Sequence, residues 1–242
     1  TTLTVVALYG NYMLIVMGVQ TLMTAMFNSM NAGIGNLVAE GDKRKIMSVF
    51  AELFSIRFLF SCIMCFGVLM ITPAFVSFWI GKKYVMDSLS LLLMTAILFV
   101  NLSRTTVDAY INAYGLFGDI WAPIVEASLN VGLSIILGYY FGLHGVLSGV
   151  LISLLLVVFC WKPYYLFRKG LDERLSIYIF MYARHLMAAL LCGVIVCLGM
   201  RYSMVQGDTT FFDGLLGILV FSILSTLTLL CVAPGMRNLM RR

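Results

Sequence analysis

Leu143–Trp161 reads LHGVLSGVLISLLLVVFCW and carries no Asp, Glu, Lys or Arg. Its apolar residues do not alternate with polar ones, so it is not a strand of a transmembrane barrel, where lipid-facing and lumen-facing positions alternate. Its length matches the ~20 apolar residues that carry a helix across the hydrocarbon core. Lipid offers the backbone no hydrogen-bond partner but itself, so such a run is a helix.

Outward from this run the same texture recurs. Candidate spans cover 3–38, 46–80, 86–114, 118–141, 143–167, 175–201 and 210–234, which predicts an all-α polytopic membrane helix bundle of about seven transmembrane helices. Hydrophobic residues make up 62% of the 242 and charged residues 11%, against about 45–50% and 25% in soluble domains. A soluble fold has no place to hide that much apolar surface, and no long polar stretch marks a second, soluble domain. The net charge of +5 sits in short clusters between apolar runs, so nucleic acid is not a partner. Cys62 and Cys65 form a C-x-x-C pair inside an apolar run, with no second pair to complete a zinc site; they read as small packed hydrophobes. No cofactor is expected. The chain begins at Thr1 without Met or signal peptide, already at the edge of a span, and a preceding N-terminal portion is expected.

The connections predict the topology. Lys43, Arg44 and Lys45, then Lys162, Arg168, Lys169 and Arg174, then Arg237, Arg241 and Arg242 fall on one side, ten in all; only Lys82, Lys83 and Arg201 fall on the other. The positive-inside rule places the ten-charge side, and the Arg242 end, in the cytoplasm. Trp79, Trp121 and Trp161 at span ends fit an interfacial belt. Pro73, Pro123 and Pro163 lie near span ends, where a helix tolerates them.

Three spans carry polar stripes. Asn101, Arg104, Thr105, Asp108 and Asn112 fall on one face of the third span, with Arg104 and Asp108 as an i,i+4 ion pair. Glu126, Asn130 and Ser134 repeat every four residues in the fourth, and Gln20, Thr24, Asn28 and Asn31 do so in the first. The simplest assembly turns these faces into a shared cavity, because ionisable groups in hydrocarbon cost ~2.5–3.5 kcal/mol and mark substrate or ion paths. The alternative is interhelical glue. Arg57, Arg104 and Arg184 lie at roughly 14–17 Å from the cytoplasmic ends of their spans, a depth at which they can clamp a phosphate or diphosphate or snorkel to the headgroups. His185 reads as a packed or interfacial residue rather than a proton relay. The candidate substrate-binding set is Arg104, Asp108, Asn101, Asn112, Glu126, Asn130 and Arg57.

Gly35–Lys43 reads GNLVAEGDK, Phe78–Tyr84 FWIGKKY, Tyr110–Gly118 YINAYGLFG and Ala122–Leu129 APIVEASL, with the turn GLHG at Gly142–Gly145. Together these resemble the second half of polysaccharide repeat-unit flippases, within the multidrug, oligosaccharidyl-lipid and polysaccharide exporter superfamily; the likeness covers about residues 5–170. The resemblance implies two six-helix lobes around a cavity that alternates between inward-open and outward-open. This chain would supply five helices of the C-terminal lobe over 1–170 and two additional C-terminal helices over 171–242. It implies a polyprenyl-diphosphate-linked oligosaccharide as substrate, moved across a bacterial inner membrane for O-antigen, capsule or exopolysaccharide. The implied partners are membrane lipids, the N-terminal lobe, a polysaccharide polymerase and a chain-length regulator.

Two other functions compete. A cation-coupled multidrug exporter of the same superfamily would line its cavity with acidic groups, whereas Arg57 and Arg104 here face Asp108 and Glu126. A membrane acyltransferase or polysaccharide polymerase would need catalytic His or carboxylate groups near a cleft or sizeable loop. The chain has two histidines, His144 and His185, and no H-E-x-x-H, G-x-S-x-G or P-loop pattern, so an enzyme is not expected.

Overall fold

The structure is a computed structural model that describes residues 3–204 and 211–232. Among these residues there is no strand. Helix α1 spans Leu3–Glu40 and α2 spans Lys43–Trp79. At 1.5 Å per residue both exceed the ~30 Å hydrocarbon core, so their ends project beyond it. The link between them is only Gly41 and Asp42. Gly41 takes a positive φ of 76°, and Asp42 caps α2 by accepting from the backbone N–H groups of Arg44 and Lys45 at 3.0 and 3.2 Å.

The next span is split. Helix α3 (Ser88–Ser103) and α4 (Thr105–Ala113) meet at Arg104. Ser103 Oγ donates to Val100 O at 3.2 Å and Thr105 Oγ1 to Leu102 O at 2.8 Å, so hydroxyls compete for the carbonyls that a continuous helix uses.

Among the described residues six helices are long and apolar enough to cross a membrane. The difference from the seven expected spans lies in the longest, Trp121–Leu171, which doubles back. Within α5 (Trp121–Leu154), Gly142 adopts φ 59°, ψ −132°. A Cβ on Gly149 would stand 2.6 Å from Ser134 N, and one on Gly145 would overlap the Leu137 carbonyl. Those pairs are far apart along a straight helix, so the arms 121–141 and 143–154 form an antiparallel hairpin whose backbones touch through glycine. The second arm continues through a π-helical turn (Leu155–Trp161), the short α6 (Lys162–Leu166) and another π turn (Phe167–Leu171). Pro163 lies in this stretch; it lacks an N–H, and a wider helix beside it relieves the clash of its ring with the preceding turn. Helices α7 (Leu175–Met204) and α8 (Phe211–Val232) complete the described chain.

Helix α2 is the hub, packing on α1, α3, α4, α7 and α8. Its buried Phe50, Phe54, Phe58, Cys62 and Phe66 recur every fourth residue, which makes one continuous face. That face meets Tyr110, Phe167, Tyr178 and Tyr182 edge-on or tilted, with centroids 5.0–6.0 Å apart. A second core joins Tyr12, Val16, Met23 and Phe27 of α1 to Leu91, Met94, Leu98 and Leu102 of α3.

Two contacts identify the ends of the bundle. Lys43 Nζ lies 2.9 Å from Asp172 Oδ2, which brings the first basic segment beside Arg168, Lys169 and Arg174. At the other end His144 Nε2 lies 2.7 Å from Asp87 Oδ2, joining the Gly142 turn to the connection that carries Lys82 and Lys83. The connections that carry residues 43–45 and 168–174 therefore lie together, and the one that carries Lys82 and Lys83 lies with the Gly142 turn. Arg237, Arg241 and Arg242 lie outside the described residues.

Candidate functional site

The polar stripes of α1 and α3–α4 face one another across a cavity of about 480 Å³. Gln20, Thr24, Asn28 and Asn31 line one wall; Asn101, Arg104, Thr105, Asp108 and Asn112 line the other. Arg57 enters from α2. Five of the residues expected from sequence, Arg57, Asn101, Arg104, Asp108 and Asn112, thus share one chamber.

Arg57 is buried, at 2% exposure. Its Nη2 donates to Asn31 Oδ1 at 3.2 Å and to Phe27 O at 3.5 Å, and its guanidinium carbon lies 5.3 Å from the Phe27 ring centre. Asn31 Nδ2 in turn donates to Asn28 Oδ1 at 3.3 Å, so the amides orient one another. Arg57 Nε has no partner among the described residues. A buried donor left unpaired costs about 1–3 kcal/mol, so the site favours an incoming acceptor.

Arg104 lies at the break between α3 and α4, where its Nε is 3.4 Å from Asp108 Oδ2 and its Nη1 3.9 Å from Glu126 Oε1. Asp108 is shared: Lys162 Nζ donates to its other oxygen at 2.7 Å. Lys162 corrects the sequence reading, which places it in a connecting loop. It opens α6 inside the long second arm of the hairpin, with its side chain only 18% exposed. The π turn before it adds residues to a helical turn and so shifts the face on which Lys162 emerges. The stripe periodicity missed Lys162, because its relation to Asp108 depends on which helices are neighbours.

The fourth-span stripe divides. Glu126 reaches toward Arg104, but Asn130 does not line the cavity: its Oδ1 accepts from Ser134 Oγ at 3.2 Å, and the same hydroxyl lies 3.3 Å from Val146 O across the hairpin. Asn130 and Ser134 therefore serve the hairpin. Arg184 is also separate, in a groove between α2 and α7 with Lys43 and Arg44; of the three arginines at similar depth, Arg57 and Arg104 share the chamber. His185 is fully buried, packed edge-on against Phe54 and Phe58 at 5.4 Å, with Nδ1 2.7 Å from Met181 O and Nε2 2.9 Å from Ser55 Oγ. Among the described residues no group of three or more His, Cys, Asp or Glu is arranged to hold a metal ion.

Around the chamber stand three cations, Arg57, Arg104 and Lys162, and two carboxylates, Asp108 and Glu126. Thr24, Asn28 and Asn31 on α1 are exposed, so the chamber is open, and its amides and guanidiniums can meet hydroxyl and anionic groups of a ligand. Compared with protein-family models, curated proteins and solved structures, the chain matches none.

Proposed function

We propose that this chain forms one wall of a transporter that flips a polyprenyl-diphosphate-linked oligosaccharide across a bacterial inner membrane for surface polysaccharide assembly. The observation that carries the reading is the single chamber in which Arg57 and Arg104 stand among amide side chains inside membrane-length helices. Guanidinium groups bind phosphate oxygens through paired, charge-assisted hydrogen bonds. Amides of Gln20, Asn28, Asn31, Asn101 and Asn112 match the mixed donor and acceptor character of sugar hydroxyls. The exposed polar face of α1 is costly against lipid and calls for water or a second lobe across from it. In this reading the facing lobe closes the chamber, and rocking of one lobe against the other exposes it alternately to each side. The excess of cations disfavours an amphipathic cation as cargo.

The test is binding by the purified protein in detergent of a polyprenyl diphosphate against the corresponding neutral polyprenol. The diphosphate should bind more tightly, and Arg57→Gln or Arg104→Gln should weaken it about tenfold each, the effect of losing one charge-assisted contact. Equal affinity for diphosphate and polyprenol would remove the basis of the reading.

A further inference from the structure

We propose that the groove between α2 and α7 at the basic end of the bundle holds the phosphate headgroup of an anionic phospholipid drawn from the surrounding leaflet. The groove encloses about 850 Å³, more than the central chamber, and none of the polar stripes reaches it. Lys43, Arg44 and Arg184 line it together with Ser48 and Ser176.

Three features point to an anion. The first is charge. Glu173 is the one carboxylate on the described lining, and Asp172, which takes Lys43 at 2.9 Å, does so with both side chains at least 70% exposed; such a surface pair is weak and yields easily. No ion pair engages Arg44 or Arg184 among the described residues. The second is the backbone. Helix α7 starts at Leu175, so its N-terminus adds partial positive charge at this end, whereas that of α2 is already met by the Asp42 carboxylate. The third is Arg184 itself. It lies nine residues into α7, about 14 Å from the helix start. A helical side chain leans toward its N-terminus, which carries the guanidinium toward Lys43 and Arg44. Its Nε is buried and has no partner among the described residues, and its guanidinium carbon lies 5.7 Å from the Phe180 ring centre.

The groove wall decides between a lipid and a soluble anion. Phe180 is 68% exposed and Ile177 41% exposed on the outer face of α7, so an acyl chain can lie along them while the headgroup enters between the helices. Basic pockets between membrane helices near one headgroup layer are suited to such lipids. This reading is independent of the central chamber, and the two fail separately.

The experiment is native mass spectrometry of the purified protein released from detergent containing equal phosphatidylglycerol and phosphatidylcholine. The wild type should retain phosphatidylglycerol preferentially. Arg44→Gln and Arg184→Gln should each lower that retention about tenfold, Arg184→Lys should fall between, and Lys169→Gln, a charge loss at the same end outside the groove, should change nothing. Arg44 is exposed, so its variant folds even if the Arg184 variant does not. Undiminished phosphatidylglycerol in Arg44→Gln, or equal loss in Lys169→Gln, would overturn the proposal. So would displacement of the lipid by inorganic phosphate at comparable concentration, which would make the groove a site for a soluble anion.

Discussion

Asp108 is the residue on which the charges of the chamber depend. It holds Lys162 at 2.7 Å and Arg104 at 3.4 Å, one on each oxygen. Asp108→Asn leaves both cations without this carboxylate and should lower the stability of the purified protein by about 1–3 kcal/mol, read as a lower unfolding midpoint in detergent. Combining it with Lys162→Met should restore part of the loss, because the variant then has one fewer unpaired cation. A double variant no more stable than Asp108→Asn would mean that Lys162 is compensated elsewhere. The residues legible in the sequence are those tied by helical periodicity: Asn101, Arg104, Asp108 and Asn112 share a face whatever the helix packs against. Lys162 was misplaced, and Arg184 was left between two readings, for one reason. Their roles rest on which helices are neighbours, and spacing along the chain does not carry that.

Elements follow the same division. Hydropathy located the helices because lipid tolerates few alternatives. The break at Arg104 and the π turns at Leu155–Trp161 and Phe167–Leu171 were not legible, since they depend on side-chain competition and on local response to Pro163. The hairpin at Gly142 was legible as a turn, but its tightness was not. Gly149 admits no side chain: a Cβ there would stand 2.6 Å from Ser134 N, which is backbone and does not yield. Gly149→Leu should therefore cost about 1–3 kcal/mol or more by overpacking, whereas Gly132→Ala on the first arm, where a Cβ meets open space, should be tolerated. Equal unfolding midpoints for the two variants would contradict the hairpin. At the hairpin tip, Asp87 caps α3 by accepting from Ser90 N–H at 3.0 Å and faces His144. Partial burial works against its charge, but hydrogen bonds from His144 and Ser90 prevail and hold its carboxyl at about 2, below the ordinary 3.8. A carboxylate depressed in the folded state stabilises the fold above the ordinary value, and that contribution fades as pH falls through the folded one. Asp87→Ala should therefore lower the unfolding midpoint at pH 6, with the cap worth ~1 kcal/mol, and the difference from wild type should shrink between about pH 4 and 2. A difference that persists unchanged to pH 2 would mean that packing, not the charge, is at stake.

For the whole molecule, the described basic clusters fall at one end and Lys82, Lys83 and the Asp87–His144 pair at the other. The positive-inside rule then predicts orientation. Reporter fusions after Asp42 and Lys169 should read cytoplasmic and one after Lys83 external; an external signal at Asp42 would reverse the assignment of both basic sites. The central claim, that the chamber carries a lipid-linked diphosphate sugar, is tested most directly by translocation in cells. The measurement is the appearance of the lipid-linked oligosaccharide in the outer leaflet of cells that depend on the intact protein. Arg104→Ala should abolish or strongly reduce it at normal protein abundance, and Arg104→Lys should recover only part, because lysine keeps the charge without the bidentate fork. Normal translocation by Arg104→Ala at normal abundance would contradict the claim and leave the arginine as a packing or snorkelling residue.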